Sequence, residues 1–283
     1  MNPLHLRWRG LILGAVVCFA CRLFAAAPDE PTLTKEQIKQ FLLTAKVVSS
    51  HESQTGGRWQ NDGGEVTHTL RLTLSDGTLT HDASFQPIDE QRSVKKFDSG
   101  KTEFNFVDSY KYNLAAYALA ELVGFDNMMP VYVERKWQGK TGSLSWWLPV
   151  KMDDAERVKQ KLEPPDQNAW NNQMYKIRVF DELVYDTDVN LTNVLIGEDW
   201  KLWRIDFSRA FRTYNELKNT KDLVRCDRQL FEKLKALNAN ELAEKTKQYL
   251  TKDEMKAVMA RRDKIVAQFQ KMISEKGEKE VLY

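Results

Sequence analysis

The sequence contains few cysteines and few histidines, which limits the redox and metal chemistry that it can support. Of its three cysteines, Cys18 and Cys21 lie inside an apolar N-terminal segment, so Cys226 is the one left for the rest of the chain. A lone cysteine predicts no intrachain disulfide in the mature protein. The four histidines show no spacing typical of metal ligands: His5, His51, His68 and His81.

The chain also lacks an excess of charge of either sign. Its 42 lysines and arginines face 40 aspartates and glutamates, for a formal net charge of +2. No basic run of the kind that binds phosphate backbones is present, so we expect no nucleic-acid partner. A length of 283 residues with 42% hydrophobic content is enough for one large domain or for two lobes.

The only long apolar run is in the first 27 residues, which have the pattern of a secretory signal peptide. Arg7 and Arg9 precede an apolar run from Leu11 to Ala20, and the small residues 25–27 follow. Because this run is too short to span a membrane, we expect a cleaved signal and a periplasmic or secreted protein. Contact with a membrane is expected only if the segment stays uncleaved as an anchor.

The most informative stretch of the chain places three polar residues around a predicted hairpin. Asn193 follows Asp188 by five residues, and Asp206 follows Asn193 by thirteen. Two short apolar runs with a turn signal at Gly197 between them predict two strands, which would bring Asp206 back beside Asn193. Protein kinases use an aspartate, an asparagine and an aspartate in this order to orient the acceptor hydroxyl and to hold magnesium.

Two other interpretations of this stretch stay open. In the first, Asp186, Asp188 and Asn190 cap turns by accepting hydrogen bonds from their own backbone. In the second, the alternating oxygen-bearing side chains bind calcium as an EF-hand loop does. That loop needs a glycine and a bidentate glutamate where this chain has Leu191 and Gly197, which disfavours calcium.

The same stretch resembles the atypical kinase-like fold. D-V-N-L-T-N-V-L-I and the later I-D-F-S-R-A-F are similar to the loops of phosphatidylinositol 3- and 4-kinases, HipA-like kinases and secretory-pathway kinases of the Golgi casein kinase type. The resemblance implies Asp188 as the catalytic aspartate, Asn193 and Asp206 as metal ligands, and ATP with Mg²⁺ or Mn²⁺ as cofactors. Asn190 stands where these proteins commonly have a histidine.

Upstream, the resemblance continues and then departs from the pattern. Residues 66–88 alternate around the Asp76-Gly77 turn, which predicts a hairpin. In similar proteins the second strand carries Phe-Lys-Pro, whose lysine holds the nucleotide phosphates, and this chain has Gln86 in the place of the lysine. The glutamate that pairs with that lysine corresponds to Asn113, on a helix predicted from Asp108 to Val123. The resemblance therefore implies Gln86 and Asn113 as a neutral amide pair at the nucleotide site.

An amide pair can keep the hydrogen bond of the usual ion pair, but it supplies no positive charge to a transferring phosphate. Lys95 or Lys96, expected on a neighbouring loop, could replace the lysine, although a solvated surface position is the preferred interpretation for both. The arginines near the metal motif, at positions 204, 209 and 212, are candidates for contacting a phosphorylated ligand or for forming surface salt bridges. Arg261 and Arg262 are expected to be solvated.

We therefore predict an α+β, two-lobed, protein-kinase-like fold. A small β-rich N-terminal lobe with one main helix would span residues 34–150, and a larger, mostly helical C-terminal lobe would span residues 151–283. Met152-Asp153-Asp154 is the candidate hinge between them. The glycine pairs at 56–57 and 63–64 would belong either to a loop that covers phosphates or to an ordinary long loop.

The predicted function is metal- and ATP-dependent phosphoryl transfer to an unknown protein, lipid or small-molecule acceptor. A pseudokinase that binds a nucleotide or a partner without transferring phosphate is the alternative. A solute-binding or envelope protein with a coincidental triad is a third possibility. Asn190-Leu191-Thr192 is a glycosylation sequon inside the predicted catalytic loop. A glycan there would block the site, so a working enzyme is expected in a bacterial periplasm.

Overall fold

The computed structural model describes residues 33–52, 69–97, 100 and 102–283. Residues Thr34–Tyr283 form one compact unit. The predicted signal segment and the glycine pairs at 56–57 and 63–64 lie outside the described residues, so those predictions stay untested. Within the described ranges, no helix has both the length and the apolar character that crossing a membrane requires.

The N-terminal half is built around a sheet of five antiparallel strands, ordered β1-β2-β3-β7-β6, beside a separate hairpin of β4 and β5. Two α-helices accompany them in the described part of this half. The elements are α1 (Lys35–Thr44), β1 (Lys46–Glu52), β2 (Leu70–Ser75), β3 (Thr80–Gln86), β4 (Asp89–Lys96), β5 (Thr102–Ser109), α2 (Tyr110–Val123), β6 (Tyr132–Trp137) and β7 (Lys140–Trp146).

Local sequence signals account for several of these boundaries. Helix α1 starts at a capping box, in which Thr34 and Gln37 satisfy each other's backbone N–H groups. Helix α2 ends at Gly124, which adopts the left-handed conformation with a φ of 74°. It begins later than predicted, because Ser109 acts as its N-cap and accepts a hydrogen bond from the Lys111 N–H at 3.3 Å.

The C-terminal half is mainly helical and carries a short three-stranded sheet of order β10-β9-β8. The elements are β8 (Met152–Asp153), α3 (Asp154–Gln160), α4 (Gln167–Val184), β9 (Val194–Ile196), β10 (Leu202–Arg204), α5 (Arg228–Ala236), α6 (Ala239–Thr246), α7 (Lys252–Lys276) and α8 (Glu278–Val281). The predicted hairpin after Asn193 is therefore present as β9 and β10, which pair antiparallel from Ile196 opposite Leu202 to Val194 opposite Arg204.

Aromatic packing connects the two halves directly behind this hairpin. Phe125 follows α2 and stacks on Phe180 of α4, with ring centroids 4.2 Å apart. Phe180 also meets the ring of Phe207 edge-on at 5.4 Å. All three side chains are at most 1% exposed, so they are part of the hydrophobic core. The residue that follows Asp206 is thus fixed by core packing.

Three predictions of exposure or local structure were wrong. Lys95 and Lys96 lie on strand β4 and not on a loop. Arg261 is fully buried, and it donates hydrogen bonds to the carbonyl oxygens of Leu183 and Arg212, both at 2.9 Å. Arg262 is only 15% exposed in its side chain and donates to carbonyl oxygens at the end of α5. Leu183 and Leu234 lie in the last turns of α4 and α5, where carbonyl groups lack intrahelical donors, and the two arginines supply those donors.

Gly142 lies within β7, which follows the turn from β6. The turn itself consists of Gln138 and Gly139, both with positive φ. A Cβ atom at position 142 would stand 2.6 Å from the Gln86 carbonyl oxygen and 2.9 Å from the Pro87 Cα. The missing side chain therefore allows β7 to approach the end of β3, where Gln86 lies.

Candidate functional site

The loop between α4 and β9 carries Asp188. Hydrogen bonds that neighbouring side chains accept from the loop backbone account for the shape of the loop. Asp186 Oδ1 accepts a hydrogen bond from the Asp188 N–H at 2.9 Å, and Asn190 Oδ1 accepts one from the Thr192 N–H at 3.0 Å. The turn-capping interpretation is thus right for Asp186 and Asn190. The Asp188 carboxylate instead faces the guanidinium of Arg209, with 3.8 Å between Oδ1 and Nη1.

Asn193 directly precedes β9, and Asp206 follows β10 by two residues. Because the two strands are antiparallel, both residues lie at the open end of the β9–β10 hairpin. The backbone N–H of Ile205 donates to the carbonyl oxygen of Asn193 at 3.0 Å, which continues the pairing beyond the strands. Asn193 is only 2% exposed, and its Nδ2 group lies 3.4 Å from the Asp188 carbonyl oxygen. That contact orients the amide with Nδ2 toward the backbone of the loop, so that Oδ1 is the atom suited to bind a cation.

Asp206 adopts the left-handed backbone conformation, with a φ of 58°. Aspartate is among the few non-glycine residues that adopt this region without large strain. The Ser208 N–H donates to Asp206 Oδ1 at 3.3 Å. The positive φ was not foreseen from the sequence, because it arises where the hairpin ends and the chain turns into the buried Phe207.

Gln86 and Asn113 form a hydrogen-bonded pair, as inferred from the resemblance. Asn113 Nδ2 donates to Gln86 Oε1 at 2.5 Å, and it lies 3.4 Å from Ser143 Oγ. Asn113 Oδ1 accepts a hydrogen bond from the Phe207 N–H at 2.7 Å. Both side chains are buried, at 8% and 1% exposure. The amide of Asn113 therefore connects strand β3 to the residue directly after Asp206.

The bond between Asn113 and Phe207 could not be found by sequence reasoning. Ninety-four residues separate the two partners, and the acceptor is paired with a backbone N–H that any residue could provide. It nevertheless constrains the site strongly, because an unsatisfied buried N–H or amide costs about 1–3 kcal/mol. Phe207 is held on one side by this bond and on the other by its ring packing.

Several charges converge around Asp188. Burial raises the pKa of the Asp188 carboxyl to about 6, with Arg209 opposing the shift and the charges of Asp186, Asp206 and Asp108 adding to it. A carboxylate with a pKa near 6 accepts a proton at neutral pH more readily than an ordinary aspartate does. The electrostatics therefore suit a general base or a residue that orients a hydroxyl group.

The arginines after Asp206 anchor the β4–β5 hairpin to this region. Arg209 and Arg212 both form ion pairs with Glu103 of β5. Arg212 also donates to the Asn105 carbonyl oxygen at 2.6 Å, and the Arg209 guanidinium lies 5.0 Å from the centroid of the Phe106 ring. Both were candidates for surface salt bridges, and both turn out to be ion-paired but mostly buried.

Lys95 also lies in an environment that differs from the solvated loop expected for it. Its side chain is 10% exposed and its Nζ lies 3.1 Å from Glu90 Oε2. The ammonium also lies 4.2 Å from the centroid of the Phe106 ring. Lys95 is thus partnered by a carboxylate of its own strand and by an aromatic ring of the neighbouring strand β5.

The candidate hinge is a short strand that pairs with β9. Met152 lies opposite Ile196 and Asp153 opposite Leu195, while the Lys151 N–H donates to the Ile196 carbonyl oxygen at 2.8 Å. Asp154, the third residue of the predicted hinge, begins helix α3. The segment is therefore fixed to the strand that follows Asn193.

A pocket of about 630 Å³ opens between the β4–β5 hairpin and the C-terminal helices. Its lining includes Glu103, Arg212 and Thr187, the residue that precedes Asp188. The exposed rings of Phe104 and Tyr214 form part of its wall. The five candidate residues of the site are not in this lining, so the pocket adjoins the site and does not contain it.

The donor set at Asn193 and Asp206 fits a hard divalent cation. An amide oxygen and a carboxylate are oxygen ligands of the type that Mg²⁺ and Mn²⁺ prefer, and Mg²⁺ usually takes one or two carboxylates with phosphate oxygens and water completing its shell. Among the described residues, no cluster of three or more His, Cys, Asp or Glu side chains has the arrangement of a complete metal site. The residues therefore fit a cation that is shared with a phosphorylated ligand.

Two solved structures are similar to this chain. A Fam20 protein from hydra, solved with a sugar, superposes with a TM-score of 0.58 at 15% sequence identity, covering 88% of this chain and 91% of that one. The Helicobacter pylori proinflammatory kinase CtkA gives a TM-score of 0.45 at 11% identity, covering 83% of this chain and 98% of that one.

No protein-family model matches the sequence, and no curated protein matches it either. The chain has an atypical kinase-like fold of the α+β class, with a β-rich N-terminal part and a helical C-terminal part. The predicted fold class is therefore confirmed. The division into lobes at residues 150 and 151 and the roles of the five site residues remain predictions.

The amide pair gives a direct test of how the site is held together. We expect Gln86→Lys alone to lower the free energy of unfolding by about 1–3 kcal/mol, because it places a charge beside a neutral amide in a buried position. Adding Asn113→Asp should recover much of this loss, because aspartate has the same length and still accepts from the Phe207 N–H. Urea unfolding of the wild type, both single variants and the double variant measures the coupling. Strict additivity would mean that residues 86 and 113 are not energetic partners.

Proposed function

We propose that this protein is a kinase-like phosphotransferase that uses ATP and Mg²⁺ or Mn²⁺. The observation that carries the proposal is the arrangement of Asp188, Asn193 and Asp206 around the β9–β10 hairpin of a kinase-like fold. Asn193 directly precedes β9 and Asp206 follows β10 by two residues, and the Asn193 amide contacts the loop of Asp188 at 3.4 Å. A coincidental triad would not be expected to fall on both ends of one hairpin.

Each of the three residues has a distinct proposed role. Asp188 orients the acceptor hydroxyl and accepts its proton, which its raised pKa favours. Asn193 and Asp206 hold the divalent cation. When bound, the cation neutralises negative charge on the nucleotide phosphates. The segment at Met152 and Asp153 is the proposed position of the nucleotide base.

A second candidate function is a binding module that keeps the fold without transferring phosphate. It is favoured by the hydrogen bond between Gln86 and Asn113, because this neutral pair occupies the position of the charged pair in similar proteins. The pair leaves the nucleotide site without the usual lysine. We expect the same nucleotide to be bound under either proposal, so binding alone does not separate them.

A thermal-shift titration combined with a transfer assay tests both candidates. We expect ATP with Mg²⁺ or Mn²⁺ to raise the melting temperature of the protein, and neither ATP nor the metal to do so fully alone. Transfer of labelled γ-phosphate to the protein itself or to protein, lipid and small-molecule acceptors supports the phosphotransferase. A shift without any transfer supports the binding module, and the lack of any shift with any nucleotide would contradict both.

We further propose that the protein acts in the periplasm or after secretion. The support is the charged and then apolar pattern of the first 27 residues, which no described structural feature tests. Fractionation of cells that express the full sequence, with and without those residues, measures this. Accumulation of both forms in the cytosol would argue against export.

A further inference from the structure

The proposed reaction needs a positive charge at the transferring phosphate, and the position that usually supplies it is occupied by Gln86. A phosphoryl group carries its charge on three equatorial oxygens in the transition state, so a fixed cation there contributes strongly to the rate. Several positively charged side chains lie near Asp188 and Asp206. Their partners decide which of them can take this role.

Three of these cations are already committed to other groups. Arg204 is fully buried and ion-paired with Asp181 and Asp186. Arg212 is divided between Glu103 and the Asn105 carbonyl oxygen. Lys95 is paired with Glu90 on its own strand at 3.1 Å.

Arg209 is placed differently, because it contacts the proposed catalytic aspartate itself. Its Nη1 lies 3.8 Å from Asp188 Oδ1, and its Nη2 is ion-paired with Glu103. It stands three residues after Asp206, on the short segment that Phe207 fixes in the core. The Glu103 carboxylate and the Phe106 ring, 5.0 Å away, hold the guanidinium on the side that faces Asp188. Its Nε is buried and has no hydrogen-bond partner within the described part of the chain.

A guanidinium so placed has the properties that a phosphate-binding residue needs. Arginine stays protonated, and its planar set of donors matches two phosphate oxygens at once. The separation of 3.8 Å from Asp188 exceeds that of a strong hydrogen bond, so the Nη1 group can bind a phosphate oxygen without breaking a tight ion pair. Because Asp188 orients the acceptor, a cation beside it lies next to the phosphoryl group that the acceptor attacks.

We propose that Arg209 is the phosphate-binding cation of this site and takes the role of the missing lysine by contacting the γ-phosphoryl group of ATP. The inference rests on the proposed function. In the transfer, the acceptor oxygen forms a bond to the γ-phosphorus while the bond from that phosphorus to the β,γ-bridging oxygen breaks. The electron pair of the broken bond leaves with ADP, and the acceptor proton passes to Asp188. Arg209 stays protonated throughout and forms no covalent bond.

The test compares the affinities for ATP and ADP, measured by isothermal titration calorimetry with Mg²⁺ present. We expect Arg209→Gln to weaken ATP binding by about tenfold or more while leaving ADP binding within about twofold, because one charge-assisted contact to the γ-phosphate is lost. Glutamine can still donate a hydrogen bond to Glu103, which protects the fold. Arg209→Lys should restore part of the preference for ATP. Lys95→Gln is the matched control, and its ATP-to-ADP affinity ratio should equal that of the wild type.

Each outcome of this experiment decides the matter. An unchanged ATP-to-ADP ratio in both Arg209→Gln and Arg209→Lys would overturn the assignment and leave the proposed function intact. If Lys95→Gln, and not Arg209→Gln, loses the preference for ATP over ADP, Lys95 would be the phosphate-binding residue. A wild-type protein that binds neither nucleotide would overturn the proposed function together with this inference. If Arg209→Gln does not fold, the ratio in Arg209→Lys relative to the wild type and Lys95→Gln gives the answer.

Discussion

Asp206→Ala is expected to remove the entire stabilisation that ATP and the divalent cation give to the folded protein. At a nucleotide concentration of 100 times the dissociation constant, that stabilisation amounts to about 2.7 kcal/mol in the wild type. The reason is that Asp206 contributes the only carboxylate among the two proposed metal ligands, and nucleotide phosphates bind weakly without the cation. Thermal unfolding with and without ATP and Mg²⁺ measures the difference.

Asp188→Ala is the matched control for this prediction. It removes a carboxylate from the same loop system but leaves both proposed ligands in place, so it should preserve most of the nucleotide-dependent shift while abolishing phosphoryl transfer. Equal loss of the shift in both variants would indicate that Asp188 also holds the cation. A full shift in Asp206→Ala would remove Asp206 from the nucleotide site altogether.

Arg204→Met is expected to lower the free energy of unfolding by about 3–5 kcal/mol, because it leaves buried carboxylates without their counter-charge. Arg204 is fully buried, and its Nε lies 3.1 Å from Asp181 Oδ1 while its Nη2 is paired with Asp186. The same guanidinium lies 4.7 Å from the centroid of the Phe207 ring. Urea unfolding at pH 7.5 measures the loss.

The pH dependence of the loss identifies its cause. Burial raises the pKa of the Asp181 carboxyl to about 6 although the Arg204 guanidinium opposes the shift, so loss of the guanidinium raises this folded-state pKa further above the unfolded value of about 3.9. A group whose folded pKa is raised binds more protons in the folded state, so its contribution to stability falls as the pH rises toward the folded pKa. The deficit of Arg204→Met should therefore be smaller at pH 5 than at pH 7.5.

The exposed pair of Arg228 and Glu278 provides the control for this second prediction. Its side chains are 50% and 55% exposed, and such pairs contribute about 0–1 kcal/mol. Arg228→Met should therefore change stability little at either pH. A loss from Arg204→Met no larger than that from Arg228→Met would show that the buried arginine does not compensate the two carboxylates.

Local patterns in the sequence were sufficient wherever a short segment determines its own structure. The end of helix α2 after Val123 and the hairpin after Asn193 both depend on residues within a few positions of each other. The hairpin also placed Asn193 and Asp206 at its two ends, since antiparallel pairing returns the chain to its starting point. The resemblance, and not periodicity, suggested that Gln86 and Asn113 are partners, and their hydrogen bond agrees with it.

The environments of the charged residues could not be predicted in this way. Arg261 sits on a helix with charged neighbours, where a solvated side chain is the ordinary expectation, yet the helix packs so that Arg261 reaches carbonyl oxygens of two distant segments. Lys95 similarly meets the Phe106 ring of the neighbouring strand and the carboxylate of Glu90. Burial of a long side chain depends on which other elements pack against it, and that information is spread over the entire chain.

The sequence by itself predicted the hairpin that carries Asn193 and Asp206 and the end of helix α2, because local hydrogen bonding and the alternation of polar and apolar residues determine both. That Gln86 stands in the place of a lysine was implied by the resemblance, and strands β4 and β5 were not predicted. Only the tertiary structure decided that Asn113 holds the Phe207 N–H and that Arg209 faces Asp188. Both contacts join segments that are distant in the sequence. These segments meet because α2 and the β4–β5 hairpin pack against the C-terminal half. Such packing cannot be predicted from local patterns, because all the side chains that fill a core set the distances across it.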